Sequence, residues 1–242
     1  MRSIGILLSI WLSAVSAVAQ ASNDKMWRGL AGEAAKAGLD AEQVEALVTR
    51  CRDAGLTVET ARIIASPLME ACRRRLPTEP VLAKIDEGLA KRVGADRIAR
   101  AAGVRIEKLE QAARLVEAQR SDDPRGGPGL VAATALALES GVSEGSVAGL
   151  LSHPNSKRPG WLMAAIEGME TLHAQGFPDA DAQRLMQDAL SRGLRRQEIL
   201  QGVDLALQQY REGQTSAKIA IEAASPNRPG RHGGNGGPSR RR

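Results

Sequence analysis

The segment RLPTEPVLAKIDEGLAKRVGADRI, residues 75–98, recurs in diverged form as GFPDADAQRLMQDALSRGLRRQEI, residues 176–199. The identities fall on prolines and on apolar positions at helical spacing: Pro77 with Pro178, Leu89 with Leu190, and Ile98 with Ile199. Each copy has the pattern of a short amphipathic helix bounded by two turns. The recurrence therefore predicts a diverged internal duplication of a helix-turn-helix unit, which describes an architecture and not a chemistry.

A repeated turn signal marks the predicted helix ends. A glycine followed by one apolar residue recurs along the chain, at Gly38-Leu39, Gly55-Leu56, Gly103-Val104, Gly141-Val142, Gly176-Phe177 and Gly193-Leu194. Glycine adopts the left-handed conformation that ends a helix, and the apolar residue folds back onto the last turn. Arg75-Leu76 and Arg92-Val93 occupy the same position without a glycine. The next helix often starts on a capping residue, as at Asp40, Thr57, Ser143 and Asp179.

Apolar residues between these turns follow a helical period. Three stripes are clearest: Leu82, Ile85 and Leu89; Ile106, Leu109 and Val116; and Leu162, Ile166, Met169 and Leu172. No segment alternates as a strand does. Hydrophobic residues make up 43% of the chain and aromatic residues only 2%, so the core must be aliphatic. We predict an all-α fold, either an irregular helical bundle or a short α-solenoid of helix-turn-helix units.

The first 21 residues predict export. Met1-Arg2 gives a positive start, residues 4–18 are apolar and uncharged, and two small-x-small sites end at Ala19 and Ala21. This is the pattern of a secretory signal peptide over residues 1–21. A membrane anchor is the alternative, but the apolar run is shorter than the roughly 20 residues that a span requires. We expect a periplasmic or secreted protein with no transmembrane span after the signal is removed.

Composition divides the remainder of the chain. A Pro/Gly-rich linker at 121–129 separates a first helical half, 22–120, from a second, 130–224. Residues 225–242 are rich in Gly, Pro and Arg and have no large apolar residue to bury, so we expect a disordered basic tail. This tail accounts for much of the net charge of +5.

Cys51 and Cys72 are the chain's two cysteines. An oxidising compartment would allow them to pair. In one continuous helix over 57–74, Cys72 would lie roughly 18 Å beyond the level of Cys51, too far for a disulfide. A turn at Ser66-Pro67 would bring Cys72 back. Both a disulfide and two buried thiols are therefore open hypotheses.

Histidines and arginines give the remaining candidate sites. His153 and His173 lie in the least repeat-like segment, where a hydrolytic or metal site could use them, but their spacing matches no ligand motif. Arg73-Arg74-Arg75 ends a predicted helix, where cations favour the exposed carbonyls. The tail arginines form a candidate anion-binding segment: Arg228, Arg231, Arg240, Arg241 and Arg242. The tail has no aromatic residue for base stacking, which argues against a nucleic-acid partner.

No motif in the sequence identifies a family, a cofactor or a catalytic residue. The pattern favours a non-catalytic interaction or scaffold module of the cell envelope, which presents grooves to a protein partner. The first alternative is binding of anionic lipid or polymer through the tail. The second alternative is an enzyme of unfamiliar type that uses the region of His153 and His173.

Overall fold

The computed structural model describes residues 22–120 and 127–212. The predicted signal peptide, 1–21, and the predicted basic tail, 225–242, lie outside the described residues. Every regular element within residues 22–120 and 127–212 is a helix, which confirms the all-α prediction. No helix in the described ranges is both long and apolar enough to cross a membrane.

The helices follow one another through short turns. The first, α1, covers residues 22–37. The next are α2 (Ala41–Asp53), α3 (Val58–Arg73), α4 (Glu79–Ala90), α5 (Ala95–Arg120) and α6 (Gly127–Glu139). Then come α7 (Glu144–Leu151), a 3₁₀ helix (Pro154–Lys157), α8 (Pro159–Ala174), α9 (Asp179–Ser191) and α10 (Arg196–Arg211).

The described helices group into two compact units that divide between Glu144 and Gly145. In unit 1, the long helix α5 packs against α3, α4 and α6. In unit 2, α8 packs against α9 and α10. Residues 121–126 of the predicted linker lie outside the described residues, and residues 127–129 belong to α6, which packs on α5.

Aliphatic side chains fill both cores, as the composition predicted. The stripe of Leu162, Ile166, Met169 and Leu172 is fully buried in unit 2. In unit 1, Ile106, Leu109 and Val116 are buried along α5. Among the described residues, Trp27 and Phe177 are the aromatic side chains that belong to the core.

The turn signal is confirmed at most of its positions. Five of the glycines have a positive φ: Gly38, Gly55, Gly141, Gly176 and Gly193. Arg75 and Arg92 adopt the same conformation, with φ of 57° and 53°. At the first of these turns, Leu76 N donates to Ala71 O at 2.9 Å and Arg75 N to Cys72 O at 3.0 Å. These two bonds are those of a Schellman motif, which satisfies the last carbonyls of α3.

Gly103 is the exception, and the turn predicted there is wrong. α5 runs without interruption from Ala95 to Arg120. Residues on both sides of Gly103, such as Ile98 and Leu109, are buried in the same core. Packing of this one face holds Gly103 in a helix at a cost of about 1 kcal/mol relative to alanine.

Two of the predicted capping residues, Asp40 and Thr57, cap their helices, and Asp179 does not. Asp40 forms a capping box with Gln43, in which Gln43 N donates to Asp40 Oδ1 at 2.8 Å and Asp40 N to Gln43 Oε1 at 3.2 Å. Thr57 Oγ1 accepts from Thr60 N at 3.3 Å. Asp179 is not a cap, because it is the first residue within α9 and Pro178 precedes it as N-cap.

The duplicated segments share their local structure but differ in packing. α4 and α9 occupy equivalent positions, and each is preceded and followed by a residue with positive φ. However, α4 packs mainly against α5, whereas α9 packs mainly against α8. The duplication therefore preserves a helix with its two turns, and each unit uses that helix differently.

Candidate functional site

A groove of about 800 Å³ lies on unit 1. Residues of α4, α5 and α6 and of the turn between α3 and α4 line it, together with Gln43 of α2. The wall residues are mostly small or apolar: Leu76, Pro77, Pro80, Ala83, Ala113, Pro128, Gly129, Val131, Ala132 and Leu136. The volume lies within the range of roughly 300–1,000 Å³ that is usual for ligand sites.

Local sequence explains why the groove stays open. Short side chains at Ala83, Ala113 and Ala132 do not fill the space between α4, α5 and α6. Leu136 remains 41% exposed, although large apolar side chains elsewhere on α6, such as Leu130 and Leu138, are buried. Leu136 therefore extends the apolar surface of the groove, and a contiguous apolar surface of this kind can be buried by a partner.

A network of charges lies partly on the groove lining, at Lys84, Glu87 and Arg105, and partly beside it, at Lys91 and Glu139. Arg105 is only 7% exposed, and its Nε lies 2.5 Å from Glu139 Oε2, as an ion pair without the angle of a good hydrogen bond. Lys84 Nζ lies 3.7 Å from Glu139 Oε1 and 3.0 Å from Glu87 Oε2. Lys91 Nζ donates to Glu87 Oε1 at 2.6 Å. Hydrogen bonds from Lys91 and then Lys84 lower the pKa of Glu87 to about 2.

The Arg73-Arg74-Arg75 cluster separates into two paired cations and a third that lines the groove. Arg73 and Arg74 both donate to Glu70 at 2.7 Å, and Arg74 also contacts Glu110. Hydrogen bonds from Arg74 and then Arg73 lower the pKa of Glu70. Arg75 lines the groove, is exposed, and has no ion-pair partner among the described residues. From the sequence, Arg75 was grouped with Arg73 and Arg74. It nevertheless occupies a turn position that is glycine in most of the other turns, which distinguished it from its neighbours.

His153 belongs to a structural cap. Asn155 N donates to His153 Nδ1 at 3.2 Å, so in the neutral ring the proton sits on Nε2. Nε2 lies 3.0 Å from Ser191 Oγ, and Ser191 Oγ donates to Gln187 O at 2.8 Å. A general base needs a free ring nitrogen that accepts from the serine hydroxyl. In this pair Nε2 donates to the serine hydroxyl, so the ring has no free nitrogen to accept the serine proton. The contact instead holds the end of α9 in place.

His173 lies beside the other end of α9. Its Nδ1 is 3.7 Å from Asp179 Oδ1, and Ser146 Oγ donates to Asp179 Oδ2 at 2.8 Å. The serine therefore bonds the carboxylate and not the imidazole, unlike a nucleophile with its base. Ser191 and Asp179 are the two ends of α9, about 18 Å apart along its axis. The structure does not bring His153 and His173 into one site.

Cys51 and Cys72 are both free thiols in the structure. The turn at Ser66-Pro67 is wrong, because α3 continues through Pro67 to Arg73. Cys51 lies near the end of α2 and is fully buried, while Cys72 lies near the far end of α3 and is partly exposed. The continuous α3 removes the geometric reason for pairing, and the disulfide itself stays a hypothesis.

Thiol reactivity tests this arrangement. Burial raises the pKa of Cys51 to about 11, so the thiol is neither accessible nor ionised near pH 8. We expect one fast-reacting thiol, Cys72, in the native unreduced protein and two after denaturation. The measurement is an aromatic-disulfide thiol assay before and after addition of guanidinium. Zero thiols in both states would establish the disulfide and contradict the arrangement.

The tail arginines and possible metal ligands are the remaining candidate sites. The tail arginines, Arg228, Arg231, Arg240, Arg241 and Arg242, lie outside the described residues, so anion binding through them stays a prediction. Within 22–120 and 127–212, no three His, Cys, Asp or Glu side chains group closely enough to hold a metal ion. Comparisons of the chain with protein-family models, curated proteins and solved structures found no match.

Proposed function

We propose that the protein is an interaction module whose groove on unit 1 binds a segment of a protein partner. The observation that carries this proposal is the apolar groove of about 800 Å³, with the exposed Leu136 on its wall. The walls contributed by α4, from Pro80 to Glu87, and by α6, from Pro128 to Leu136, are each about 10–12 Å long. That length suits about two turns of an amphipathic helix or a few residues of extended chain.

The groove's chemistry supports binding over catalysis. Glu87 is the lining carboxylate with the strongest interactions, and two lysines hold its pKa near 2. It stays ionised at neutral pH and is poorly suited to exchange protons there, since a general acid or base works best with a pKa near the working pH. Arg105 and Lys84 are likewise engaged with Glu139. These charges fix the shape and potential of the groove.

We also propose that the module acts in the cell envelope after export. The support is the signal-peptide pattern of residues 1–21. The test is the mass of the protein recovered from its native host. A mass that corresponds to a chain beginning at Gln20 or Ser22 would agree with cleavage at one of the two small-x-small sites. A chain that retains Met1 and is recovered in the cytoplasmic fraction would contradict export.

Groove binding is tested with a defined probe. A random twelve-residue peptide library is selected on the full chain, and the enriched peptides are synthesised with a fluorescent label. Ala83→Trp fills the groove from an exposed position on α4. Ala90→Trp places the same side chain at an exposed position of α4 that does not line the groove.

We expect Ala83→Trp to weaken the binding of the selected peptides by about tenfold or more, because the indole occupies the space they need. Ala90→Trp should bind as the wild type does. Fluorescence anisotropy gives the Kd of each variant, and circular dichroism verifies that both are folded. Equal affinity of the wild type and Ala83→Trp for every selected peptide would overturn the proposal.

A further inference from the structure

We infer that the partner segment carries a carboxylate that pairs with Arg75 while its apolar side chains pack in the groove. This rests on the groove binding proposed above and adds the chemistry of the occupant. Arg75 lines the groove, and its guanidinium has no ion-pair partner among the described residues. A planar guanidinium that is free of other bonds binds a carboxylate with two parallel hydrogen bonds.

The charges around the groove favour an acidic occupant. Three cations share two carboxylates: Lys84, Lys91 and Arg105 with Glu87 and Glu139. Arg75 adds one more positive charge. Glu79, which is exposed in the first turn of α4, is a further negative charge on the lining, so the four cations outnumber the three carboxylates by one. The balance is net positive, so an acidic segment meets a complementary potential and a basic one is repelled.

The backbone holds Arg75 at the groove. Its φ of 57° is fixed by the Schellman hydrogen bonds that end α3, and the next residue, Leu76, also lines the groove. Glu70 and Glu110 are already engaged by Arg73 and Arg74. Neither acid is therefore free to compete with a ligand for Arg75.

The positive φ of Arg75 allows its side chain to be removed without disturbing the turn. Glycine is the preferred residue at a position with positive φ, so Arg75→Gly removes the guanidinium and relieves backbone strain together. Arg92 has the same conformation, with φ of 53°, at the end of α4, and it does not line the groove. Arg92→Gly is thus a matched control for the loss of one arginine and for the gain in backbone freedom.

The experiment uses the peptides selected from the twelve-residue library. We expect them to be enriched in Asp or Glu beside apolar residues. Arg75→Gly should raise their Kd by about tenfold, because the bound peptide shields the charge-assisted hydrogen bonds of Arg75 from water, and Arg92→Gly should leave it unchanged. Replacing the acidic side chain of the peptide with its amide should weaken wild-type binding and leave Arg75→Gly unaffected. A second arm, in which the peptide's C-terminus is amidated, separates a side-chain carboxylate from a terminal one.

Glu79→Gln provides a test of opposite sign. Removing this negative charge from the lining should tighten binding of acidic peptides, because the potential of the groove becomes more positive. Peptides that lose affinity in Ala83→Trp but bind Arg75→Gly like the wild type would overturn the inference and leave groove binding intact. Peptides that bind all variants equally would overturn both.

Discussion

Gly168→Ala is expected to destabilise unit 2 by about 1–3 kcal/mol, the usual cost of overpacking a core. Gly168 is buried in α8, and a Cβ added there would lie 2.8 Å from Val203 Cγ2 and 2.9 Å from Met186 Sδ. The methionine can move its flexible end, but the branched valine cannot move without shifting α10. The measurement is urea-induced unfolding followed by circular dichroism, with separate transitions fitted if the two units unfold independently.

Gly160→Ala is the matched control on the same helix. A Cβ added at Gly160, in the first turn of α8, meets no atom within 4 Å. This variant should therefore be as stable as the wild type or slightly more stable, because alanine is the better helix former. If Gly168→Ala were as stable as Gly160→Ala, the close approach of α8 to α9 and α10 would be wrong.

Phe177→Ala is expected to cost about 3–5 kcal/mol, the range for truncation of a buried phenylalanine. Phe177 follows the glycine that ends α8, and its N donates to Leu172 O at 3.0 Å. Its ring is buried and lies 5.1 Å from the ring of Tyr210, whose hydroxyl donates to Gly176 O at 2.9 Å. Removing the ring leaves a cavity and deprives Tyr210 of its packing partner. Thermal and urea unfolding of unit 2 measure the loss.

Leu76 aligns with Phe177 in the duplication and offers an internal comparison. It follows the equivalent turn, with Leu76 N donating to Ala71 O, but it is only half-buried and lines the groove. Leu76→Ala should cost about 1–2 kcal/mol, since less of its surface is removed from solvent. Equal losses for Leu76→Ala and Phe177→Ala would contradict the difference in packing between the two copies.

Helix ends and buried stripes could be predicted from the sequence, because both depend on residues that are close together in the chain. The turn signal placed helix ends at Gly38, Gly55, Gly141, Gly176 and Gly193, and it extended correctly to Arg75 and Arg92. These ends rest on backbone conformation and on hydrogen bonds within six residues, which a short stretch of sequence specifies. The aliphatic stripes of α5 and α8 were predictable for the same reason.

Two errors share a physical cause. Gly103 and Pro67 each predict a helix end, and each lies inside a helix. In both helices, buried residues on either side of the unfavourable residue pack into one core. The free energy of that packing exceeds about 1 kcal/mol for the glycine and about 3 kcal/mol for the proline. Local propensity alone does not contain this contribution.

The groove could not be read from the sequence. Its walls come from α4, α5 and α6 together with the turn between α3 and α4, and small side chains on those three helices leave the space between them unfilled. α4 and α9 have related sequences, yet α4 packs mainly on α5 and α9 mainly on α8. A protein partner stays a prediction from the sequence, and the position of Arg75 on the groove was available only from the packing.

Mapping of a selected acidic peptide by NMR tests the central claim most directly. The full chain is labelled with ¹⁵N, and the amide shifts are followed as the peptide is added. Groove binding predicts that the largest changes fall on residues 75–87 and 128–136 of unit 1, and that they are lost in Ala83→Trp and retained in Ala90→Trp. Changes confined to unit 2 or to residues 213–242, with residues 75–87 unmoved, would contradict it.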